Sequence, residues 1–187
     1  MDKIVFDIET KNSFLDVGGK QNFKDLEISV VGTYSYENDS YRVFNENELE
    51  ELGEFFKKAN PLIGFNSKYF DVPVLNKYLS FDLTAVPHYD IFEEIRSAEG
   101  IWVKLDEVGK TNLGIEKTSD GMEAIKMYQR GDMEKLKEYC LQDVKITKKI
   151  FDLIVDKGYL WVPQKKSDDI KKVDLKFEKS NNQKSLL

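Results

Sequence analysis

The chain has 187 residues, of which 41% are hydrophobic, and its 34 acidic against 28 basic side chains leave a net charge of −6. That size suits one compact domain with a sizeable core, while the negative charge weighs against binding phosphate backbones unless bound cations reverse the local sign. A single cysteine, Cys140, excludes an internal disulfide scaffold, and with no signal peptide or membrane-length apolar run the expectation is a soluble cytoplasmic protein.

The first predicted element is a strand from Lys3 to Thr10 (KIVFDIET), whose acids come only at its C-terminal end. Side chains alternate along a strand, so Asp7 and Glu9 share one face while Phe6 and Ile8 take the other. Two such carboxylates repel unless a cation lies between them, and hard oxygen ligands favour Mg²⁺ or Mn²⁺. By itself an Asp-x-Glu is also what a strand running out into a solvated turn looks like. Residues 28 to 36 and 40 to 44 predict a hairpin, and Leu49, Leu52, Phe55 and Phe56 predict an amphipathic helix over 47 to 58.

Pro61 to Phe65 predicts a short buried strand, with Asn66 and Ser67 as its turn and Phe70, Val74, Leu75 and Tyr78 at helical spacing after it. Asp71 then stands in the first turn of a helix, where capping competes with any chemical role. Residues 86 to 90 predict another strand, and Ile91, Phe92 and Ile95 another helix. From Gly131 an apolar stripe through Leu136, Cys140, Val144, Thr147, Ile150, Phe151 and Ile154 predicts the longest helix, with Tyr139 and Asp143 stacked on one face. An acid on the buried side of a helix needs a cation, a hydrogen-bonding network or exposure. The order of elements predicts an α/β fold, a mixed sheet covered by helices on both faces. Residues 164 to 187 carry seven lysines against four acids, which predicts a flexible Lys-rich tail after a domain of residues 1 to 163.

In chain order, Asp7-x-Glu9, Asn66-x3-Phe70-Asp71-x-Pro73 and Tyr139-Cys140-x2-Asp143 resemble the three motifs of the DEDD superfamily of 3′→5′ exonucleases. Tyr139 marks the tyrosine (DEDDy) branch, because the histidine branch has its His five residues before the last acid, where this chain has Glu138. Residues 105 to 117 and 124 to 140 are similar to segments before the last helix in the proofreading exonuclease domain of family B DNA polymerases and in stand-alone predicted exonucleases. The resemblance implies a ribonuclease H-like sheet of about five strands. It implies release of 5′-mononucleotides from single-stranded 3′ ends, DNA favoured over RNA, with a replication or repair protein as partner. Two Mg²⁺ or Mn²⁺ are implied, held by Asp7, Glu9, Asp71 and Asp143, with Asp7 shared between them.

On the same resemblance Tyr139, whose free phenol titrates near ~10, aims a water rather than removing its proton. Asn66 and Phe70 support the site, and Phe14 and Leu15 either stack against terminal bases or anchor their loop. His88 lies outside every motif and reads as structural. Competing accounts are a structure-specific endonuclease and a non-catalytic nucleic-acid-binding module of the same fold. A phosphatase of the haloacid dehalogenase type fits less well, because its second acid would be Asp where this chain has Glu9, and it leaves Tyr139 and Asp143 unexplained.

Overall fold

In the computed structural model, which describes residues 1–115, 121–164 and 169–177, strand β1 (Asp2–Thr10) is the centre of a mixed five-stranded sheet. It pairs antiparallel with β2 (Ile28–Ser35), which pairs with β3 (Ser40–Asn45) as the expected hairpin. On its other side it runs parallel to β4 (Ala59–Gly64), which runs parallel to β5 (His88–Asp90). Parallel pairing brings the C-terminal ends of β1, β4 and β5 to one edge of the sheet, where open α/β sheets bind their ligands.

The alternation read from β1 is realised in the packing. Ile4, Phe6 and Ile8 enter one core with Leu52 and Phe56 of α1 (Leu49–Phe56) and with Val74 and Leu75 of α2 (Asp71–Leu75). On the opposite face Val5 packs with Val144, Ile150 and Phe151 of α6 (Met133–Lys157), a helix of 25 residues. Between these, α3 (Ile91–Glu99), α4 (Leu105–Leu113) and α5 (Gly121–Arg130) complete the helices of the described residues. The sheet is thus covered on both faces, as the order of elements predicted.

Helix α6 approaches the sheet closely at one point, Gly32 of β2. A Cβ there would lie 2.9 Å from both Cys140 Sγ and Val144 Cγ2, so only glycine admits the helix at this depth without a shift. Gly32 is the direct partner of Asp7 across the β1–β2 ladder. The close approach therefore sets the Tyr139–Asp143 turn of α6 over the acidic end of β1.

Two expectations are corrected. The helix beginning at Asp71 stops at Leu75 rather than reaching Tyr78. Asn76, its C-cap, turns its side chain to Asp82 and to the Leu83 N–H, and this draws the chain out of the helix. The flexible tail expected over 164–187 is not flexible throughout, since β7 (Ile170–Asp174) pairs antiparallel with β6 (Tyr159–Pro163). Val173 and Leu175 are buried and Phe177 packs on Tyr89 and Phe151. An apolar residue at every second position is a strand pattern, and the residues between them, Asp174 and Lys176, are exposed. Residues 165–168 and 178–187 of that stretch, and 116–117 of the 105 to 117 segment, lie outside the described residues.

Candidate metal centre

The edge formed by the parallel strands collects side chains from four distant segments. Asp7 and Glu9 project from the end of β1 toward α6, where they meet Cys140; one ligand atom from each of the three lies within 4.8 Å of the others. The Cys140 thiol is also 3.6 Å from the Asp7 carbonyl. Glu9 is buried, and its position coincides with a shift in the β1–β2 register between Glu9 and Thr10. Such irregularities re-aim side chains at functional edges. Asp143 is buried one turn beyond Tyr139 on α6, and its charge acts on Cys140 together with those of Asp7 and Glu9.

Asp71 joins this group through the backbone. Its Oδ1 accepts from the N–H of Ile8 at 3.2 Å, across 63 residues of sequence, and that amide lies between Asp7 and Glu9. Its own amide at the start of α2 also acts on the carboxylate, so the helix-start role that competed for Asp71 accompanies the long-range bond. Complete burial, and then the charge of Asp90, push its carboxyl up from an ordinary value near 3.8 to about 8. The group is an acid that gives up its proton when positive charge is supplied nearby.

Asp90 was not anticipated as part of this edge. It is 1% exposed, and its two oxygens accept from four N–H groups, those of Asn66 (2.8 Å), Lys68 (2.9 Å), Phe92 (3.0 Å) and Glu93 (3.3 Å). It caps α3 and at the same time pins the 66–68 loop that leads into Asp71. The signal was present in the sequence as an Asp directly before an apolar helix start. Asn66 adopts a left-handed backbone (φ 60°), a conformation that Asn tolerates better than most residues. Its N–H donates to Asp90 and its carbonyl accepts from Phe70 at 3.1 Å, so the main chain of Asn66 is what holds the loop.

The remaining expected residues divide. Phe14 and Phe70 contact each other (ring centroids 5.6 Å apart) and, with Met122 and Ile125 of α5, line a cavity of about 350 Å³ that reaches Glu9. Phe14 also packs against the core, which is the anchoring contact expected of it. Leu15 is 86% exposed and anchors nothing. His88 sits against Phe6 and its Nε2 lies 2.9 Å from Ser67 Oγ; burial holds its pKa down to about 3, so the ring is neutral.

The donor set suits hard divalent cations. Asp7 and Glu9 bring two carboxylates to the cluster, and its one sulfur stays a thiol because burial and the neighbouring acids raise the Cys140 pKa; Asp71 and Asp143 lie outside this tight group. A neutral thiol is a poor ligand, which leaves the carboxylates as the groups that could hold a cation.

A family description for the RNase H superfamily matches residues 4–155, and the chain belongs to that superfamily. No curated protein matches it by sequence. Among solved structures the fold is similar to part of the family B DNA polymerase from the hyperthermophilic archaeon Pyrobaculum calidifontis, with a TM-score of 0.64 and 16% identity. The match covers 83% of this chain and 24% of that polymerase, so the chain spans about a quarter of its length. The five-stranded mixed sheet is accordingly an RNase H-like sheet. Among the described residues, no helix is long and apolar enough to cross a membrane.

Proposed function

We propose that the protein is a metal-dependent 3′→5′ exonuclease that removes 5′-mononucleotides from single-stranded nucleic acid, with DNA favoured. The observation that carries this reading is the bond from Ile8 N–H to Asp71, which draws an acid from a distant segment against the Asp7 and Glu9 pair beneath α6. Membership of the RNase H superfamily supports a phosphodiester substrate, and the likeness to a DNA polymerase fold leans it toward DNA.

In this reading Asp7, Glu9, Asp71 and Asp143 hold two Mg²⁺ or Mn²⁺. Those cations would supply Lewis-acid stabilisation of the phosphate and an activated water. The Tyr139 hydroxyl, one turn before Asp143 on α6, orients that water by hydrogen bonding while remaining protonated. Phe14 and Phe70, in contact with each other, form an apolar wall of the cavity beside Glu9 against which the terminal base packs. Asn66 and Asp90 keep the loop before Asp71 in place.

The test is an end-labelled single-stranded oligonucleotide, DNA beside RNA, incubated with Mg²⁺, Mn²⁺ or chelator. Stepwise, metal-dependent loss of mononucleotides from the 3′ end is expected. Inertness toward single-stranded DNA, recessed 3′ ends and RNA with either metal would overturn the proposal, and cutting of a circular single strand would convert it to an endonuclease.

A further inference from the structure

A second cleft, of about 650 Å³, opens beyond Asn66 between the β4–α2 loop and α3. Its walls carry Tyr69, which is 63% exposed, and Trp102, which is 56% exposed, together with Lys20, Lys68 and Arg96. Two large, mostly exposed aromatics thus stand together beside basic side chains in a chain of net charge −6. The Arg96 guanidinium lies over the Trp102 ring at 4.6 Å, and Phe92 supports that ring from the core at 5.4 Å. The acids of the cleft are already engaged. Glu93 pairs with Lys68 at 2.6 Å, and Asp90 is held by four backbone N–H groups. Beyond Trp102 a smaller hollow continues to Lys104.

The cleft is connected to the cavity beside Glu9 by ring contacts. Tyr69 meets Phe23 at 5.4 Å, and Phe23 meets Phe14 at 5.3 Å, so an aromatic path runs from one hollow to the other. Flat aromatic faces in a groove that also presents Lys20 and Arg96 match single-stranded nucleic acid, whose bases stack without regard to sequence while its phosphates meet the basic side chains. We propose that this cleft binds the nucleotides on the 5′ side of the scissile phosphate, an inference that rests on the exonuclease reading for its direction. It makes the enzyme prefer strands of several nucleotides over dinucleotides.

The full chain carrying Trp161→Phe leaves Trp102 as its one tryptophan. With chelator present, an eight-nucleotide thymidine oligomer should quench its fluorescence, and a thymidine dinucleotide at equal concentration should not. In cleavage assays Arg96→Ala and Trp102→Ala should each lower the ratio of kcat/KM for the octamer over the dinucleotide by about tenfold, near the cost of losing one base stack. Lys20→Glu, an exposed change remote from the core, should lower the same ratio and make octamer binding less steeply dependent on salt. Equal quenching by both oligomers, or none, or a ratio that all three variants leave unchanged in an active enzyme, overturns the cleft and leaves the exonuclease standing. Selective quenching by the octamer in a protein that cleaves nothing keeps the cleft as a nucleic-acid site and removes the exonuclease.

Discussion

Asp90 and the group of Asp7, Glu9 and Asp71 sit at the same edge of the sheet and are held in different ways. Asp90 accepts from four backbone N–H groups, which offset only part of the upward push of burial on its pKa, and it behaves as a structural anchor, joining the start of α3 to the loop before α2. Asp7 and Glu9 face each other and a neutral thiol, and Asp71 accepts from the Ile8 amide while its pKa rises. A carboxylate satisfied by amide donors is finished with folding, whereas a group of carboxylates crowded together calls for cations. On the proposed function, the difference separates the acid that builds the site from the acids that would work in it.

The largest effect should come from Asp7→Ala or Asp143→Ala. Loss of a metal ligand removes several kcal/mol of transition-state stabilisation, about a thousandfold or more in rate. The metal-free unfolding midpoint should stay level or rise with Asp7→Ala, because a repulsive contact is removed. Tyr139→Phe should retain measurable turnover. Full activity in Asp143→Ala would break the comparison at its functional side.

Asp90→Ala should do the reverse in emphasis. Stripping the acceptor from four N–H groups is expected to cost about 2–3 kcal/mol, read as a lower midpoint in urea, with activity falling because the loop before Asp71 loosens. Asp90→Asn, which keeps an acceptor oxygen, should recover part of the stability. If Asp90→Ala were as stable as the parent and only inactive, Asp90 would belong with the working acids.

Gly32→Ala tests the helix that brings the two groups together. The added methyl meets Cys140 and Val144 at 2.9 Å, which should cost about 1–3 kcal/mol by overpacking and reduce activity by lifting α6 from β1. Adding Cys140→Ala to Gly32→Ala should restore part of both. An unaltered midpoint and rate in Gly32→Ala would show that the close approach is dispensable.

The smallest effect is a pH dependence of metal stabilisation. With its folded pKa near 8 against an ordinary 3.8, Asp71 favours the folded state fully below the lower value, and this contribution is lost as pH rises toward 8 in the metal-free protein. Cations require the ionised form, so the rise in melting temperature given by Mn²⁺ should be larger at pH 8 than at pH 6. Equal rises at both pH values in a calorimeter would remove Asp71 from the metal group.

Local pattern alone was enough to place β1, the β2–β3 hairpin, α1 and α6, because a short apolar run bounded by turn residues and a helical stripe both depend only on neighbours in sequence. The separate acids of the motifs were equally visible. The strand at Ile170–Asp174 was obscured because its one buried side chain, Val173, stands among Lys171, Lys172 and Asp174. What only the tertiary structure decided is which acids meet and which are already satisfied. Asp71 and Asp90 are both acids at helix starts in the sequence, and the folded chain turns the first toward the Ile8 amide and the second toward four amides of its own surroundings. Gly32 likewise reads as an ordinary strand glycine until α6 rests on it. Contacts across 63 or more residues depend on how layers pack, and no local pattern encodes that distance.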